Sequence, residues 1–350
     1  MLESRDIQYL SRCLDLAGNG ASFAAPNPMV GAVTVYDGKI IGEGYHRRYG
    51  DAHAEPNVIN AIEDKNLLKN TTLYVNLEPC SHYGKTPPCA DLIIAHEIPR
   101  VVIGTLDPNP KVAGRGIERL CQAGIDVQCG VLEAECRQLN KHFFTFQEKK
   151  RPYVTLKWAQ THDGFIDVMR KNAEIPPLSI SNEMTKIIAH KARAEHQAIL
   201  VGTNTAVLDN SRLSVRHWSG RNPIRIAIDR NGRIPRNSHL FDRSTRTIIF
   251  TEKALENSEN LEFIRLSFDD DFLKNLIQNI YNRNINSVLV EGGAQLLNSF
   301  IKQNLWDEAR VEISPAEIKN GVRAPIIPQI PAEEKIIQGH RIVCYRNFDL

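Results

Sequence analysis

The 350-residue chain has little excess charge and no long hydrophobic run. Its formal net charge is only +2, so the sequence has no strong electrostatic attraction to nucleic acid or to a membrane surface. No apolar run approaches the length of a membrane span, and residues 1–6 lack the apolar segment of a secretory signal. These absences predict a cytoplasmic protein that binds neither nucleic acid nor a membrane.

Cysteine and aromatic residues are also scarce, with seven cysteines and 7% aromatic residues. An odd number of cysteines in a long chain argues against a disulfide framework. Reduced thiols are expected at five of the cysteines, Cys13, Cys121, Cys129, Cys136 and Cys344. The chain is too long for one average domain, and its apolar content of 42% is ordinary, so two globular domains are expected.

The most informative motif combines His53-Ala54-Glu55 with two later cysteines, Cys80 and Cys89. Imidazole and thiolate groups are zinc ligands, and a set of three leaves a coordination position for water, as in catalytic sites. Zinc lowers the pKa of such a water towards neutrality, and Glu55 can carry the proton. The motif therefore predicts a hydrolytic deaminase of an amino-substituted nitrogen ring, with His53, Cys80 and Cys89 as metal ligands and Glu55 as the catalytic residue.

Two simpler interpretations compete with this one: a structural zinc site, or cysteines packed without a metal. The context favours catalysis, because a helical pattern follows His53, a β-rich run precedes Cys80 and a second helical pattern begins at Cys89. Residues two apart on a regular helix point in different directions. His53 and Glu55 can therefore share a site only if His53 lies at the irregular start of its helix.

The first part of the chain alternates helical and strand patterns, which indicates a sheet covered by helices on both faces. Strands are predicted at residues 30–35, 40–45, 71–78, 100–104 and 125–129, and helices around residues 7–17, after residue 53, and at 89–95, 117–123 and 133–144. Residues 147–152 form a charged run that ends in proline. We interpret this run as a linker between domains at 1–146 and 151–350, with a solvated surface as the alternative.

The second part begins with a strand pattern at residues 153–158. Further strands are predicted at 198–202, 224–229, 247–250 and 287–290, and helices at 187–194 and 294–302. Gly292-Gly293 joins the last of these strands to its helix, where backbone N–H groups and the positive helix end suit a phosphate. A simple tight turn is the alternative for this pair. No G-x-G-x-x-G string occurs, so a Rossmann dinucleotide site is not expected.

Five segments together resemble the bifunctional deaminase/reductase family of riboflavin biosynthesis: residues 26–31, 53–55, 77–89, 107–110 and 112–116. The long insert between Cys80 and Cys89 and the later Asp-Pro-Asn-Pro string separate this pattern from generic cytidine deaminases. The resemblance implies a cytidine deaminase-like three-layer α/β/α domain followed by a dihydrofolate reductase-like α/β domain. It further implies that zinc-dependent hydrolysis removes the 2-amino group of 2,5-diamino-6-(5-phosphoribosylamino)pyrimidin-4-one, and that NADPH then reduces the ribosyl side chain to ribityl.

The resemblance also implies which polar residues of the first half bind this substrate. They are Asn27, His46, His82, Lys85, Asp107 and Asn109. Lys85 would bring a positive charge and His82 a hydrogen-bond donor to the sugar phosphate, and the other four would suit the pyrimidine and its ribose. From the residues alone, turn formation is the alternative for those four, because Pro-Asn-Pro and Asp-Pro-Asn-Pro are turn-forming strings.

In the second half the resemblance implies substrate-binding roles for Arg193, Asp209, Leu213, Arg216 and Glu291. The guanidinium groups of Arg193 and Arg216 would form a phosphate clamp, because each presents a planar fork of donors. The residues implied to bind NADPH are Ala159, Ser179, Ser181, Thr203, Thr205, Gly292 and Gly293.

The second half also departs from the family pattern. Ser179 stands where the family carries Trp, which removes a flat contact surface for the cofactor, and Ser211 stands where it carries Pro. Residues 167–177 differ from the family's glycine-rich stretch. A deaminase with a weak or inactive reductase-like domain is therefore an alternative prediction.

Two further functions are weaker alternatives. A deaminase of nucleic-acid bases would need a basic channel and aromatic stacking platforms, which the near-neutral charge and the scarce aromatics disfavour. A zinc-stabilised binding protein would show no catalysis. For the leading prediction we expect a homo-oligomer, either a dimer or a tetramer.

Overall fold

The structure is a computed structural model that describes residues 4–81, 87–110 and 112–347. The chain divides into two compact units, Met1–Lys150 and Arg151–Leu350. None of the helices in these described ranges is long and apolar enough to cross a membrane.

The first unit alternates helices and strands, as its sequence pattern predicts. In chain order its elements are α1 (Ser4–Gly18), β1 (Gly31–Tyr36), β2 (Lys39–Tyr45), α2 (Ala54–Ala61), a 3₁₀ helix (Lys65–Asn70), β3 (Thr72–Leu77), α3 (Cys89–Ala95), β4 (Arg100–Thr105), α4 (Arg115–Gln122), β5 (Asp126–Cys129), α5 (Glu133–Leu139) and α6 (Lys141–Lys149). The strands form one sheet in the order β2-β1-β3-β4-β5. β1 is antiparallel to both β2 and β3, whereas β3, β4 and β5 are parallel.

Each face of this sheet packs on helices, because successive strand side chains point to opposite faces. On one face Tyr74 of β3 packs with Leu10 of α1 and with Cys136 of α5. On the other face Leu73 and Val75 of the same strand pack with side chains of α2, α3 and α4. The result is the three-layer arrangement that the alternating pattern predicts.

The predicted helix at 133–144 is two helices, and the predicted linker starts inside the second of them. The break falls at Asn140, whose buried side chain accepts a hydrogen bond from Met29 N (2.7 Å) and donates one to Met29 O (2.9 Å). Helix α6 then continues to Lys149, and Lys150 ends it in the left-handed conformation at φ 54°. The sequence pattern did not reveal this break because its cause is a contact with a residue more than a hundred positions away.

The second unit is built on a nine-stranded sheet. Its elements are β6 (Tyr153–Gln160), β7 (Phe165–Asp167), α7 (Glu183–Glu195), β8 (Ala198–Val201), α8 (Thr203–Asp209), β9 (Ile224–Ile228), a 3₁₀ helix (His239–Phe241), β10 (Thr247–Thr251), β11 (Leu261–Arg265), α9 (Phe272–Tyr281), β12 (Ser287–Val290), α10 (Ala294–Lys302), β13 (Glu308–Ile313), β14 (Val322–Arg323), β15 (Glu333–Ile337) and β16 (His340–Arg346). The large sheet has the order β11-β10-β9-β8-β12-β6-β13-β16-β15, and β7 pairs separately with β14.

The seven strands from β11 to β13 are parallel, and β16 and β15 extend the sheet in antiparallel fashion. Helices α9 and α10 pack on one face through Leu276, Ile277 and Phe300. On the other face Ala206 of α8 packs against Ile199 and Val201 of β8.

The strand order creates a crevice at the carboxyl ends of β8 and β12, which are neighbours in the sheet. β8 leads through α8 to β9 on one side, whereas β12 leads through α10 to β13 on the other side. At such a topological switch point the two connections diverge and leave room for a ligand. The segments 202–205 and 291–293 lie at this point.

Candidate active sites

In the first unit the predicted site residues follow strand ends that meet at one edge of the sheet. Cys80 and Asp107 come after the carboxyl ends of the parallel strands β3 and β4. β1 runs antiparallel to β3 and β2, so the start of β1 and the end of β2 lie at the same edge. Asn27 and His46 are next to those two positions. The topology therefore gathers residues that are far apart in the sequence.

His53, Cys80 and Cys89 form a compact group whose ligand atoms all lie within 4.8 Å of one another. The Nδ1 atom of His53 is 3.7 Å from Sγ of Cys80 and 3.4 Å from Sγ of Cys89. Tetrahedral zinc with ordinary Zn–S and Zn–N bond lengths places such atoms about 3.6 Å apart. The donor set and its spacing fit zinc.

The start of helix α2 allows His53 and Glu55 to share one site although they are only two residues apart. His53 is the N-cap residue of α2 with extended backbone angles, φ −68° and ψ 175°, whereas Glu55 lies in its first turn. The irregular start that the sequence analysis requires is therefore present. Glu55 is 3% exposed, and burial raises the pKa of its carboxyl group to about 7.

Hydrogen bonds couple the three metal-binding groups electrostatically. A hydrogen bond with the Cys89 thiol, together with hydrogen bonds from His53 and from the Cys89 backbone N–H, lowers the pKa of Cys80 well below that of an ordinary thiol. The hydrogen bond with Cys80 raises the pKa of His53 to about 9. The Cys89 N–H donates to Sγ of Cys80 over 3.3 Å at the start of α3, where the helix dipole also favours a thiolate.

Two of the predicted substrate residues are hydrogen-bonded beside this centre. Nδ1 of His46 lies 3.0 Å from the carbonyl oxygen of Ala52, so this nitrogen carries the proton and donates. Nε2 of His46 then accepts from the side-chain amide of Asn27 over 3.1 Å. The ring of His46 meets that of His53 edge-on at 5.4 Å between centroids. Burial lowers the pKa of His46, which favours this neutral form.

A buried carboxylate that the sequence analysis did not select, Glu78, organises the loop that carries Asp107 and Asn109. Its carboxylate oxygens accept hydrogen bonds from four backbone N–H groups, those of Asp107 (3.2 Å), Gly114 (3.0 Å), Gly116 (2.9 Å) and Ile117 (3.3 Å). This arrangement resembles a carboxylate at a helix N-terminus, since α4 begins at Arg115.

Asp107 and Asn109 form a local turn within that loop. The Asp107 carboxylate accepts from the Asn109 N–H over 2.7 Å, and burial raises the pKa of Asp107 to about 6. The turn interpretation and the site interpretation are therefore compatible for these two residues. His82 and Lys85 lie outside the described residues.

The second unit contains a cavity of about 900 Å³ at its topological switch point. This volume is in the range of cofactor sites. Eight of the residues predicted to bind substrate or cofactor line it: Ala159, Ser181, Thr203, Thr205, Asp209, Glu291, Gly292 and Gly293. The residues shown to line the cavity do not include Ser179, Arg193, Leu213 or Arg216, each of which the structure describes.

Both positions of the Gly292-Gly293 pair that lines the cavity require glycine. A Cβ atom on Gly292 would lie 2.9 Å from Cα of Val201, and Gly293 has φ 59°. The backbone can therefore approach a phosphate closely at the start of α10, where helix N–H groups are available. Together with the size of the cavity, this observation fits the binding of a dinucleotide such as NADPH.

Arg193 lies beside the cavity and is bound to one of its lining residues. Its guanidinium group makes a two-pronged ion pair with Glu291, with Nε–Oε1 and Nη2–Oε2 distances of 2.9 and 2.6 Å. Burial alone would raise the pKa of Glu291, but the charge of Arg193 outweighs it and holds this pKa below the ordinary value. Leu213 is buried, and the backbone N–H of Arg216 donates to Nδ1 of His190 over 3.0 Å.

The divergent segment at 167–177 contributes an arginine that the sequence analysis did not select. Arg170 forms ion pairs with Asp167, at 2.6 Å, and with Asp209, and its Nη1 donates to Leu208 O over 3.2 Å. Its side chain is only 4% exposed and lines the cavity. A lone Arg in a polar loop has no sequence pattern that marks it as part of a site, so only the structure reveals this network.

Comparisons with known proteins cover both units. The family model of the RibD C-terminal domain matches residues 152–332. The model of the cytidine and deoxycytidylate deaminase zinc-binding region matches residues 3–105. Together the two models match most of the chain, and the α/β fold class predicted for each half is confirmed.

Relatives and solved structures match over nearly the full length. The riboflavin biosynthesis protein RibD of Aquifex aeolicus is 39% identical over 330 residues, which cover 92% of this chain and 90% of that protein. RibD of Escherichia coli is 35% identical over 351 residues, with coverage of 95% and 93%. The crystal structure of a diaminohydroxyphosphoribosylaminopyrimidine deaminase/5-amino-6-(5-phosphoribosylamino)uracil reductase from Thermotoga maritima has 37% identity and a TM-score of 0.86, and the match covers 98% of both chains.

Proposed function

The chain belongs to the RibD family of riboflavin biosynthesis proteins, and from this premise we propose a substrate and a role for each candidate residue. The protein is a bifunctional enzyme with a zinc-dependent deaminase domain and an NADPH-dependent reductase domain. In the proposal, residues 1–146 deaminate 2,5-diamino-6-(5-phosphoribosylamino)pyrimidin-4-one and residues 151–350 reduce the ribosyl side chain of the product. The compact group of His53, Cys80 and Cys89 beside the buried Glu55 is the observation that carries this proposal.

His53, Cys80 and Cys89 would hold the zinc ion, which when bound lowers the pKa of a coordinated water towards neutrality. Glu55 has no place among these three ligands and is buried beside them. Its carboxylate would take one proton from the attacking water and deliver it to the ring nitrogen, and would then carry the proton of the added hydroxyl group to the amino group, which leaves as ammonia. An acidic group in this position needs only to be close and to be shielded from solvent, and Glu55 meets both conditions.

Recognition of the pyrimidine would fall to Asn27, His46, Asp107 and Asn109. His46 is held in one tautomer by Ala52 O, so that its contact with Asn27 is fixed, and the Asn27 side chain is thereby oriented at the site. Asp107 and Asn109 are held by the Glu78 hydrogen bonds at the neighbouring strand end. His82 and Lys85 remain the proposed contacts of the sugar phosphate.

In the second unit Glu291 and Asp209 would meet the substrate, with Arg193, Leu213 and Arg216 around its phosphate. The support for a phosphate here is a concentration of positive charge: the charges of Arg193 and Arg212 both lower the pKa of Arg216, after the larger effect of its burial. A phosphate would relieve this repulsion, because each guanidinium group can donate to it.

NADPH supplies the hydride when it is bound. Thr203 and Thr205 at the start of α8 and the pair Gly292 and Gly293 before α10 would bind its phosphates and ribose, since both helix starts open into the cavity. Ala159 and Ser181 would orient its ring end, and the exposed Ser179 stays a proposed contact. The Ser181 hydroxyl donates to the buried Glu312 over 2.6 Å, which fixes its position.

We also propose a cytoplasmic homo-oligomer, a dimer or a tetramer. No disulfide joins any of the seven cysteines, all of which lie in the described ranges, and this supports a reducing compartment. Three isoleucines in and near the edge strand β15 are strongly exposed, Ile326 (80%), Ile330 (90%) and Ile336 (74%), and a second copy of the chain would cover them. Sedimentation equilibrium of the full chain tests this part, and a mass equal to one chain at micromolar concentration would exclude it.

One coupled assay tests the main proposal. The full-length protein is loaded with zinc and given the diaminopyrimidinone substrate, and ammonia release and NADPH oxidation are followed together. Both are expected, with NADPH oxidation only after ammonia appears. Absence of ammonia would refute the deaminase assignment, whereas ammonia without NADPH oxidation would refute the proposed reduction by the second unit.

A further inference from the structure

Arg170 lies in the segment that departs from the family pattern, and the function proposed above gives it no role. The segment begins at the end of β7 and returns to the cavity wall at Leu178. Both of its ends are attached to one carboxylate, because Oδ1 of Asp167 accepts from the N–H groups of Val168 and Leu178, each over 2.9 Å. The base of the loop that carries Arg170 is therefore fixed.

The guanidinium group of Arg170 joins this loop to the end of helix α8. Its Nε donates to Oδ2 of Asp167 over 2.7 Å, and its Nη1 donates to Leu208 O over 3.2 Å in the last turn of α8. Its Nη2 contacts both Oδ2 of Asp167 and Oδ1 of Asp209. The Arg170 side chain is only 4% exposed, so water has little access to these contacts. The orientation of Asp209 is therefore set by a loop whose own position is fixed.

The two carboxylates that line the cavity and are proposed to meet the substrate are held differently. Arg193 donates to both carboxylate oxygens of Glu291. Arg170 instead donates to Oδ1 of Asp209 alone, and no donor within the described part of the chain reaches Oδ2 of that residue. The Asp209 side chain is 23% exposed and lines the cavity. Oδ2 of Asp209 is therefore available to accept a hydrogen bond from a ligand.

The charge of Arg170 also favours the ionised form of Asp209. Burial raises the pKa of Asp209, whereas the hydrogen bond and the charge of Arg170 oppose that rise. Without Arg170, Asp209 would lie beside the like charge of Asp167 in a partly buried wall. Its carboxylate could then turn away from Asp167 or take up a proton, and a protonated carboxyl group is a weaker acceptor.

We propose that Arg170 is a positioning residue for the reduction, which occupies Oδ1 of Asp209 so that Oδ2 accepts a hydrogen bond from a hydroxyl group of the substrate's ribosyl chain. The inference rests on the proposed reductase function, in which Asp209 meets the substrate, and adds the residue that orients this carboxylate and keeps it charged. An ionised carboxylate can only accept hydrogen bonds, so the group that it binds must be a donor, as a sugar hydroxyl is. The divergent segment thereby takes part in the site.

Steady-state kinetics of the second unit test this inference. The full-length, zinc-loaded protein first converts the diaminopyrimidinone completely, as judged by ammonia release, and NADPH oxidation is then followed at varied concentrations of deaminated substrate and NADPH. Arg170→Gln should raise KM for the deaminated substrate about tenfold, the loss expected for one charge-assisted contact, and keep kcat within about threefold. KM for NADPH should stay within about twofold.

A double-mutant cycle shows whether Arg170 acts through Asp209. Asp209→Ala should raise KM for the deaminated substrate at least as much as Arg170→Gln does, and the double variant should not exceed Asp209→Ala by more than about twofold. If Arg170→Gln does not fold, Arg170→Lys takes its place. Lysine keeps the charge but lacks the planar fork, so it should raise this KM by about threefold, with the same dependence on Asp209.

Arg283→Gln is the matched control for a loss of stability. Arg283 also joins a strand to a helix, since it pairs with Glu262 of β11 and donates to Asn279 O of α9, but it does not line the cavity. This variant should unfold at a lower temperature than the wild type and leave kcat and both KM values unchanged.

Other outcomes overturn the inference and are distinct from a failure of the proposed function. A fall in kcat without a change in KM would show that Arg170 is only structural. Multiplied effects in the double variant would show that it does not act through Asp209, and a rise in KM for NADPH alone would place Asp209 at the cofactor. In these three cases the wild type still oxidises NADPH, so the proposed function stands. A wild type that did not oxidise NADPH after ammonia release would refute the reductase function and the inference with it.

Discussion

The two units fix their reacting groups in different ways. In the first unit the metal-binding atoms are held by short segments next to strand and helix ends, and a single buried carboxylate, Glu78, ties the neighbouring loop to them through four backbone N–H groups. In the second unit the cavity is lined by residues spread from Lys157 to Val322, and its charged groups are held by ion pairs such as Arg193–Glu291 and Arg170–Asp209.

This difference follows from what each ligand requires. A metal ion needs three atoms at fixed distances, which a few residues near helix and strand starts can supply. A dinucleotide is long, so its site must collect residues from several strand ends, and a topological switch point provides them. Each unit also has its own buried cores, so damage to one site should spare the other.

Removal of one metal ligand should have the largest effect on activity. It should abolish deamination by the first unit and leave NADPH binding by the second unit intact. Cys80→Ala leaves only His53 and Cys89 for the zinc, so we expect loss of bound zinc and a fall in ammonia release of about 1,000-fold or more. NADPH binding should stay within about twofold of the wild type. Metal analysis, ammonia release and NADPH titration measure these three quantities.

Cys121→Ala is the matched control, because Cys121 is an exposed free thiol in α4. It should keep zinc and both activities. A Cys80→Ala protein that retained zinc and deaminated normally would remove the basis for the difference between the units.

Neutralisation of the Glu78 carboxylate should have an intermediate effect, a loss of stability that is confined to the first unit. Glu78→Gln replaces an acceptor of four backbone N–H bonds with an amide that has only one acceptor oxygen. Since hydrogen bonds to a charged group contribute about 1.5–3 kcal/mol each before compensation, we expect the free energy of unfolding of the first unit to fall by about 2 kcal/mol. Chemical denaturation, with deaminase and reductase activity measured in parallel, checks this.

The control for this change is Glu135→Gln, at an exposed position of α5. It should unfold like the wild type. Equal destabilisation by the two substitutions, or a loss of NADPH binding in Glu78→Gln, would contradict the role given to Glu78.

A smaller effect is expected in the way the stability of the second unit depends on pH. Burial and the charges of Arg193 and Arg216 lower the pKa of His190 to about 4, from an ordinary value near 6.5, and Nδ1 of His190 accepts from the Arg216 N–H. The unfolded chain therefore binds more protons than the native state between these values. The contribution of His190 to stability is complete above pH 6.5 and is lost as the pH falls towards 4.

His190→Asn keeps an acceptor at the position of Nδ1 but cannot be protonated. Its free energy of unfolding should therefore decrease less than that of the wild type between pH 6.5 and 4, while the first unit keeps its pH profile. Thermal unfolding at each pH measures this change. If the free energy of unfolding fell equally with pH in the wild type and in the variant, the lowered pKa assigned to His190 would be contradicted.

The same contrast explains which parts could be predicted from sequence. The zinc ligands and Glu55 stand in a short motif whose residue types have a defined chemistry, and the Gly292-Gly293 turn follows a clear strand pattern. Arg170, Arg230 and Arg233 are isolated charges in loops, which usually indicate a solvated surface. Only the folded structure shows that they line a cavity.

Some elements of the fold were missed for identifiable reasons. Strand β13 was not predicted, and it carries two charged residues, Glu308 and Glu312, that are only 3% and 4% exposed. Tyr153 and the nearby Arg310 bind Glu308, whereas Ser181 and His340 bind Glu312. Tyr153, Ser181 and His340 are far from these carboxylates in the sequence and cannot be read from a local pattern. Helix α9 could have been predicted, because its buried residues follow the helical spacing: Leu273, Leu276, Ile277 and Ile280.

The most direct test of the account is Glu55→Gln, assayed for bound zinc, ammonia release and NADPH affinity on the same preparation. The substitution keeps the size of the side chain and leaves the three ligands intact, but it removes the proton carrier. We predict zinc content equal to that of the wild type, ammonia release at least about 100-fold lower, and unchanged NADPH affinity. Ammonia release at the wild-type rate with zinc still bound would contradict the central claim that a buried carboxylate beside a three-ligand zinc site performs the deamination.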